Sequence, residues 1–364
     1  MEYFKQYSSN TLAGSGNQFF FRGDKGNKAR SCTLYKVTES GEYPYSFLIS
    51  NTIDSTYSDG KISRRNLVIN EWVIDEMRVG VSPRCDADSF DYPEKMTEVL
   101  FDGQSKRIVK PAELFGTDPV TLNVGAGEYV CVEIVFSGDV IPYHEESIIP
   151  SFVFDNGKWI ASKKHPFVSM VGIKENSKKK IAFLGDSITQ GIGTDINSYE
   201  HWNAILAKLL GNEYSFWNLG LGYGRADDAA SDGIWLYKAK QNDIVFVCFG
   251  VNDILQGYSA DDIKKNLQTI VEKLHEVGVH VIIQTVPPFN YSEEQRRIWD
   301  SVNEFIKNDL TDADLIFDCV TCLAKSDDEP HMVKYDPHPD AEGCKVWAEA
   351  LFAAVRDAIK IFKI

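Results

Sequence analysis

The sequence predicts an α/β chain in two parts. An antiparallel, jelly-roll-like β-sandwich is expected over residues 1–173, and a flavodoxin-like domain with a five-stranded parallel sheet over residues 181–364. Three observations lead there. The length, 364 residues, exceeds what one ordinary core holds. The first half alternates apolar and polar residues at period two between turn signals. From about Lys178, short apolar runs alternate instead with amphipathic segments at helical spacing.

In the first half, Val120, Leu122 and Val124 alternate with polar residues, Gly125-Ala126-Gly127 turns the chain, and Tyr129 to Phe136 resumes as a strand. Asp102-Gly103 and Asn156-Gly157 lie between period-two stretches and read as hairpin turns, because both residues tolerate positive φ. Gly, Pro and Ser recur and helical periodicity is nearly absent, which favours a β-sandwich. The charged stretch KENSKKK, residues 174–180, is the expected linker.

The second half opens with IAFLG and a helical segment, SYEHWNAILAKLL. FWNLG follows, then RADDAASDGIWLYKA as one helix, then DIVFVCFG. A long helix begins at Ser259, with Asp262 three residues on as a capping box. Ile263, Leu267, Ile270, Leu274 and Val277 share one of its faces. VHVIIQTV, a helix over 293–308, LIFDCV and a terminal helix from Asp340 to Ile361 complete the series. Strands joined by helical crossovers form a parallel sheet covered on both faces. Reactive groups then gather beyond the C-terminal ends of the strands.

Composition removes several function classes. The net charge of −15 repels phosphate backbones, so no nucleic-acid partner is expected. No run nears the roughly 18 apolar residues of a membrane span, and no membrane partner is expected. MEYFKQYSSN has no apolar signal region, so a cytoplasmic protein is expected. Seven cysteines, an odd number mostly within apolar runs, suit reduced buried thiols. Cys319 and Cys322 form a CxxC without a second ligand pair, so neither a metal nor a redox site is expected there.

Four stretches carry candidate chemistry. Gly185-Asp186-Ser187 ends the first strand of the second half. Asn218-Leu219-Gly220-Leu221-Gly222-Tyr223-Gly224-Arg225 follows the second; its GxGxG spacing is not the dinucleotide GxGxxG, but glycine lets a substrate oxygen approach a backbone N–H. Gly250-Val251-Asn252-Asp253 follows the third and offers a side-chain amide. Asp336-Pro337-His338-Pro339 precedes the last helix, and a histidine held between prolines is more restricted than the other six. Among those, His331 is the nearest competitor.

In order and spacing these four stretches resemble the four blocks of the GDSL, or SGNH, hydrolases, over the whole second half. The GxSxG elbow of the larger α/β-hydrolases is absent. The resemblance implies a serine esterase needing no metal or organic cofactor. Ser187 would be the nucleophile and His338 its base, with the oxyanion held by the Ser187 N–H, the Asn252 amide and a glycine-loop N–H from Gly224 or Gly222. The family usually sets an aspartate three residues before the histidine, where this chain has Tyr335. Either Asp336, two before, orients His338, or the site is a Ser–His dyad. Asp186 is expected to bond its own turn.

A β-sandwich ahead of such a domain is similar to the acetyl esterases of carbohydrate esterase family two. That likeness implies O-acetyl removal from oligosaccharides such as xylo- or manno-oligosaccharides. Among aromatic residues near the crevice, Tyr223, Trp202, Tyr335 and Phe289 are the candidate sugar contacts, with Tyr199 and Tyr291 nearby. A lipase, lysophospholipase or thioesterase is the rival within the superfamily, and a carbohydrate-binding protein with a weak hydrolase domain is the rival outside it.

Overall fold

The computed structural model describes residues 1–14, 16–23, 26–58, 62–144, 146–175, 178–310 and 312–362. These form two compact units, Met1–Lys178 and Lys179–Ile364. Of the expected linker, Asn176 and Ser177 lie outside the described residues, while Lys179 and Lys180 already pair with Tyr214 and Ser215 in a sheet.

Strand pairs in the first unit are antiparallel. One sheet runs in the spatial order Lys158–Ala161, Ser151–Asp155, Ala29–Lys36, Tyr129–Gly138, Trp72–Ser82, Met96–Glu98, with Arg107–Val109 also on Trp72–Ser82. A second is built on Gly41–Ser50, which pairs with Met170–Ile173, Leu114–Gly116 and Val120–Val124. Val120–Val124 alternates buried and exposed, as its sequence requires. Asn156 and Gly157 have φ of 47° and 81° and join the strands Ser151–Asp155 and Lys158–Ala161, as a two-residue hairpin demands. Asp102 and Gly103 have the same positive φ, but the turn closes only the single bridge Phe101–Gln104.

Numbered within the second unit, the strands are β1 (Lys179–Gly185), β2 (Tyr214–Gly220), β3 (Ile244–Cys248), β4 (His280–Gln284) and β5 (Leu315–Phe317). They form one parallel sheet in the order β2-β1-β3-β4-β5. The helices are α1 (Ser187–Gln190), α2 (Trp202–Leu210), α3 (Ala226–Ala230), α4 (Ile234–Ala239), α5 (Val251–Leu255), α6 (Ala260–His275), α7 (Glu293–Asn308), α8 (Val320–Leu323) and α9 (Ala341–Ile361). The order reverses at β1, the first strand, so the crevice at a topological switch point opens where β1 and β3 end. Both strands are fully buried over residues 181–184 and 244–247, each Ile, Val, Leu or Phe side chain there contributing about 1.5–3 kcal/mol of burial.

The helices correct the sequence reading in two places. RADDAASDGIWLYKA is two helices, because Asp232 takes φ of 56° and Gly233 then caps α4. Ser259 accepts from the Asp262 N–H as a cap should, but the Asp262 carboxylate accepts from the Ser259 hydroxyl and closes no reciprocal box. Aspartate is one methylene shorter than the glutamate such boxes use. The full box forms at Ser292 and Gln295, which starts α7.

The CxxC opens α8, where the Cys319 thiol donates to the Thr285 carbonyl at 3.1 Å and Cys322 to the Cys319 carbonyl at 3.2 Å. Among the described residues, no group of three His, Cys, Asp or Glu side chains is placed to hold a metal ion, and no helix is long and apolar enough to cross a membrane.

Candidate active site

β1 stops at Gly185 because nothing larger fits: a side chain there would press 2.6 Å from the Cys248 carbonyl oxygen and into Thr189. Asp186 then caps α1, its carboxylate accepting from the Ile188 N–H at 2.9 Å. That places Ser187 first in the helix, 8% exposed, with its own N–H in no hydrogen bond among the described residues. A free N–H at a helix start favours negative charge beside the Ser187 oxygen.

The partner arrives from the far end of the chain. His338 Nε2 lies 2.8 Å from Ser187 Oγ. Gly193, at φ of 106°, makes this approach possible, since a Cβ there would sit 2.5 Å from the His338 carbonyl oxygen and 2.6 Å from that of Pro339. Phe289 meets the imidazole edge-to-face with ring centroids 5.6 Å apart. Burial pushes the His338 pKa below the usual histidine value, which keeps the ring neutral and able to take a proton.

Three amides of the glycine loop are hydrogen-bonded. Leu221 N–H donates to Gly185 O at 3.0 Å, Gly222 N–H to Gln190 Oε1 at 2.7 Å, and Gly224 N–H to Leu221 O at 3.0 Å. Both glycine amides proposed from the sequence as oxyanion donors are therefore already bonded, Gly222 to Gln190 of α1 and Gly224 within the loop. Asn252 Nδ2 donates to Gly224 O at 3.0 Å; an amide nitrogen carries two hydrogens, so a second remains for a ligand. Below the loop, Arg225 and Asp228 form a fully buried ion pair, and Asp253 accepts from the Ala226 N–H at 3.1 Å. Burial pushes the Asp186 and Asp253 carboxyls up to about 7.

Asp336 is not brought to His338. It is exposed, and among the described residues no hydrogen bond or ion pair joins the two side chains. Asp336 instead borders a small hollow with Pro288, Leu323 and Pro339. Asp336→Asn should therefore change kcat by no more than about threefold, the scale of a surface substitution. A triad aspartate would lose about 10⁴-fold in steady-state kinetics.

The aromatic candidates divide. Tyr223 is exposed, held at φ of 60° in the glycine loop, and Phe289 is half-buried against His338. Tyr335 is half-buried and packs on Gly343 at the start of α9. Trp202 corrects the sequence reading: it is fully buried, stacked on Trp347 at 4.9 Å between α2 and α9, and cannot meet a substrate. Tyr291 is likewise core, its hydroxyl donating to Pro287 O at 3.1 Å. Gln190 and Gly193 shape the site without having been assigned a role from sequence. Gly193 stands in a conspicuous GIGT; Gln190 leaves no local signal.

The parallel-sheet unit thus holds the serine at the start of α1 within hydrogen-bond distance of a histidine from the last strand-to-helix region. Residues 183–346, which lie within the second unit, match the GDSL-like Lipase/Acylhydrolase family. An uncharacterized protein of Mycoplasma pneumoniae is 26% identical over 171 residues, 43% of this chain and 19% of its own. The chain thus spans about a fifth of the length of the curated relative it matches.

Similar solved structures include a putative lipolytic protein of the G-D-S-L family from Desulfitobacterium hafniense, at 20% identity and TM-score 0.40 over 49% of this chain and 99% of that one. They also include the esterase EstA from Pseudoalteromonas, at 16% and 0.41 over 50% and 100%. A third is Est24, a carbohydrate acetylesterase from Sinorhizobium meliloti, at 16% and 0.37 over 50% and 99%.

Proposed function

We propose that the protein is a serine O-acetyl esterase acting on acetylated oligosaccharides, with Ser187 as nucleophile and His338 as general base and acid. The 2.8 Å contact between Ser187 Oγ and His338 Nε2 carries this reading. Ser187 Oγ attacks the ester carbonyl as His338 Nε2 takes its proton, giving a tetrahedral oxyanion. The Ser187 N–H and the second hydrogen of Asn252 Nδ2 are the donors for that charge. Collapse expels the sugar alcohol, which receives the proton from His338 and leaves an acetyl-enzyme. Water, deprotonated by His338, then releases acetate and restores Ser187. With no hydrogen bond or ion pair from Asp336 among the described residues, the pair works as a dyad.

The choice of acetyl groups on sugars draws on two further features. An all-antiparallel first unit, read here as a jelly-roll-like sandwich, precedes the hydrolase domain. Tyr223 and Phe289 offer flat apolar faces for a sugar ring at the site. The test is acetate release from acetylated xylo- and manno-oligosaccharides, with Ser187→Ala as the blank, beside a chain-length series of aryl esters. Acetyl esters should turn over fastest. Faster hydrolysis of octanoyl or longer esters would replace this reading with a lipase or thioesterase.

Because burial depresses the His338 pKa, its base form persists into acid. The acid limb of kcat/KM should therefore have its midpoint below 6.5, the free-histidine value. A midpoint near 7 in the pH–rate profile would instead report a buried carboxyl, Asp186 or Asp253.

A further inference from the structure

We propose that Gln190 is a positioning residue for ester hydrolysis, fastening the glycine loop to the nucleophile helix and so setting where the oxyanion donors stand. The inference rests on the esterase reading above and gives the loop a part in it different from direct donation.

Gln190 is fully buried and ends α1, one turn after Ser187. Its backbone N–H closes the turn on Asp186 O at 2.9 Å, so its position follows that of the nucleophile. Three contacts then join it to β2 and the loop beyond. The side-chain Oε1 accepts from the Gly222 N–H at 2.7 Å, and the main-chain oxygen accepts from Asn218 Nδ2 at 3.2 Å. Gly220 leaves the room that Gln190 needs, since a Cβ there would lie 2.6 Å from the Gln190 Cα. On the loop's other side, Asn252 Nδ2 donates to Gly224 O at 3.0 Å. The chain of contacts therefore runs from Ser187 through Gln190, Gly222 and Gly224 to Asn252. The two groups that hold the oxyanion come from different strand ends, and this loop is the hydrogen-bonded path between them.

Within that path the Gly222 N–H is an anchor. Without the Gln190 oxygen it becomes a buried donor with no acceptor, and the loop must move to satisfy it. A displacement of about 1 Å in a catalytic constellation costs on the order of 10²-fold in rate. The loss should fall on the transition state, because the charge on the oxyanion exists only there.

The experiment is steady-state hydrolysis of an acetyl ester by Gln190→Met, which keeps the volume and removes the acceptor, and by Gln190→Glu, which keeps an acceptor oxygen. Thermal melts establish that each variant is folded, and the rate of inactivation by an alkyl phosphonate, which resembles the tetrahedral intermediate, is measured in parallel. The Met variant should lose about 10²-fold in kcat with KM within about threefold, and phosphonate inactivation should slow to the same degree. The Glu variant should recover at least about tenfold of that loss.

A folded Met variant with wild-type kcat overturns the proposal, as does a folded Glu variant no better than Met. If the Met variant does not fold, Gln190→Asn, whose amide stops one methylene short of Gly222, carries the same expectation. Wild-type protein without ester turnover, or Ser187→Ala with full turnover, overturns the esterase reading itself, a result separate from any behaviour of the Gln190 variants.

Discussion

Ser187→Ala is expected to lower ester turnover by about 10⁴-fold or more, with KM little changed. The substitution removes the oxygen to which His338 Nε2 is hydrogen-bonded, at 2.8 Å, and leaves the helix start and its donors in place. His338→Ala should cost about as much, because the serine hydroxyl is a poor nucleophile without a group to take its proton. The double variant should be no slower than either single one, since the two side chains act as a unit. Initial rates on an acetyl ester with purified variants check all three. Retention of more than about 1% activity by Ser187→Ala would remove the mechanism.

Asn252→Ala should lower kcat by about 10²–10³-fold, with a small change in KM. The expectation lies toward the upper end of that range because the Gly222 and Gly224 amides are already bonded, to Gln190 and Leu221. Few donors then share the oxyanion, and Asn252 carries more of the stabilisation. The same change withdraws the Nδ2 donor from Gly224 O, loosening the loop from its second anchor. Asn252→Asp should be at least as severe, since a carboxylate repels the charge it faces. Paired kcat and KM values decide the matter; a loss below about fivefold would mean that the oxyanion is held elsewhere.

The parts of the site legible in sequence are those whose backbone position is set locally. Ser187 follows an apolar run that ends at a glycine and an N-capping aspartate, and such a pattern places a residue at a helix start whatever surrounds it. His338 stands between two prolines before an aspartate-capped helix, equally local information. Asn252 opens α5 directly after β3. The reading faltered where a side chain's fate depends on distant neighbours. Trp202 had a plausible address beside the crevice, yet its indole stacks on Trp347, 145 positions further along the chain. Asp336 had plausible spacing, yet it is exposed and, among the described residues, makes no hydrogen bond or ion pair with the imidazole.

Periodicity and turn residues were enough to predict a parallel α/β unit after an antiparallel one, and the order of four short blocks pointed to a serine and a histidine that the fold brings together. Those are properties of short windows: strand and helix periods, caps, and glycines at positive φ. Which amides remain open to an oxyanion could not be read that way. That depends on Gln190 meeting Gly222, and on Gly193 and Gly220 letting separate segments approach more closely than a Cβ would allow. Hydrogen bonds are directional and short, so their partners are assigned only once the packed chain has brought remote residues to their final distances.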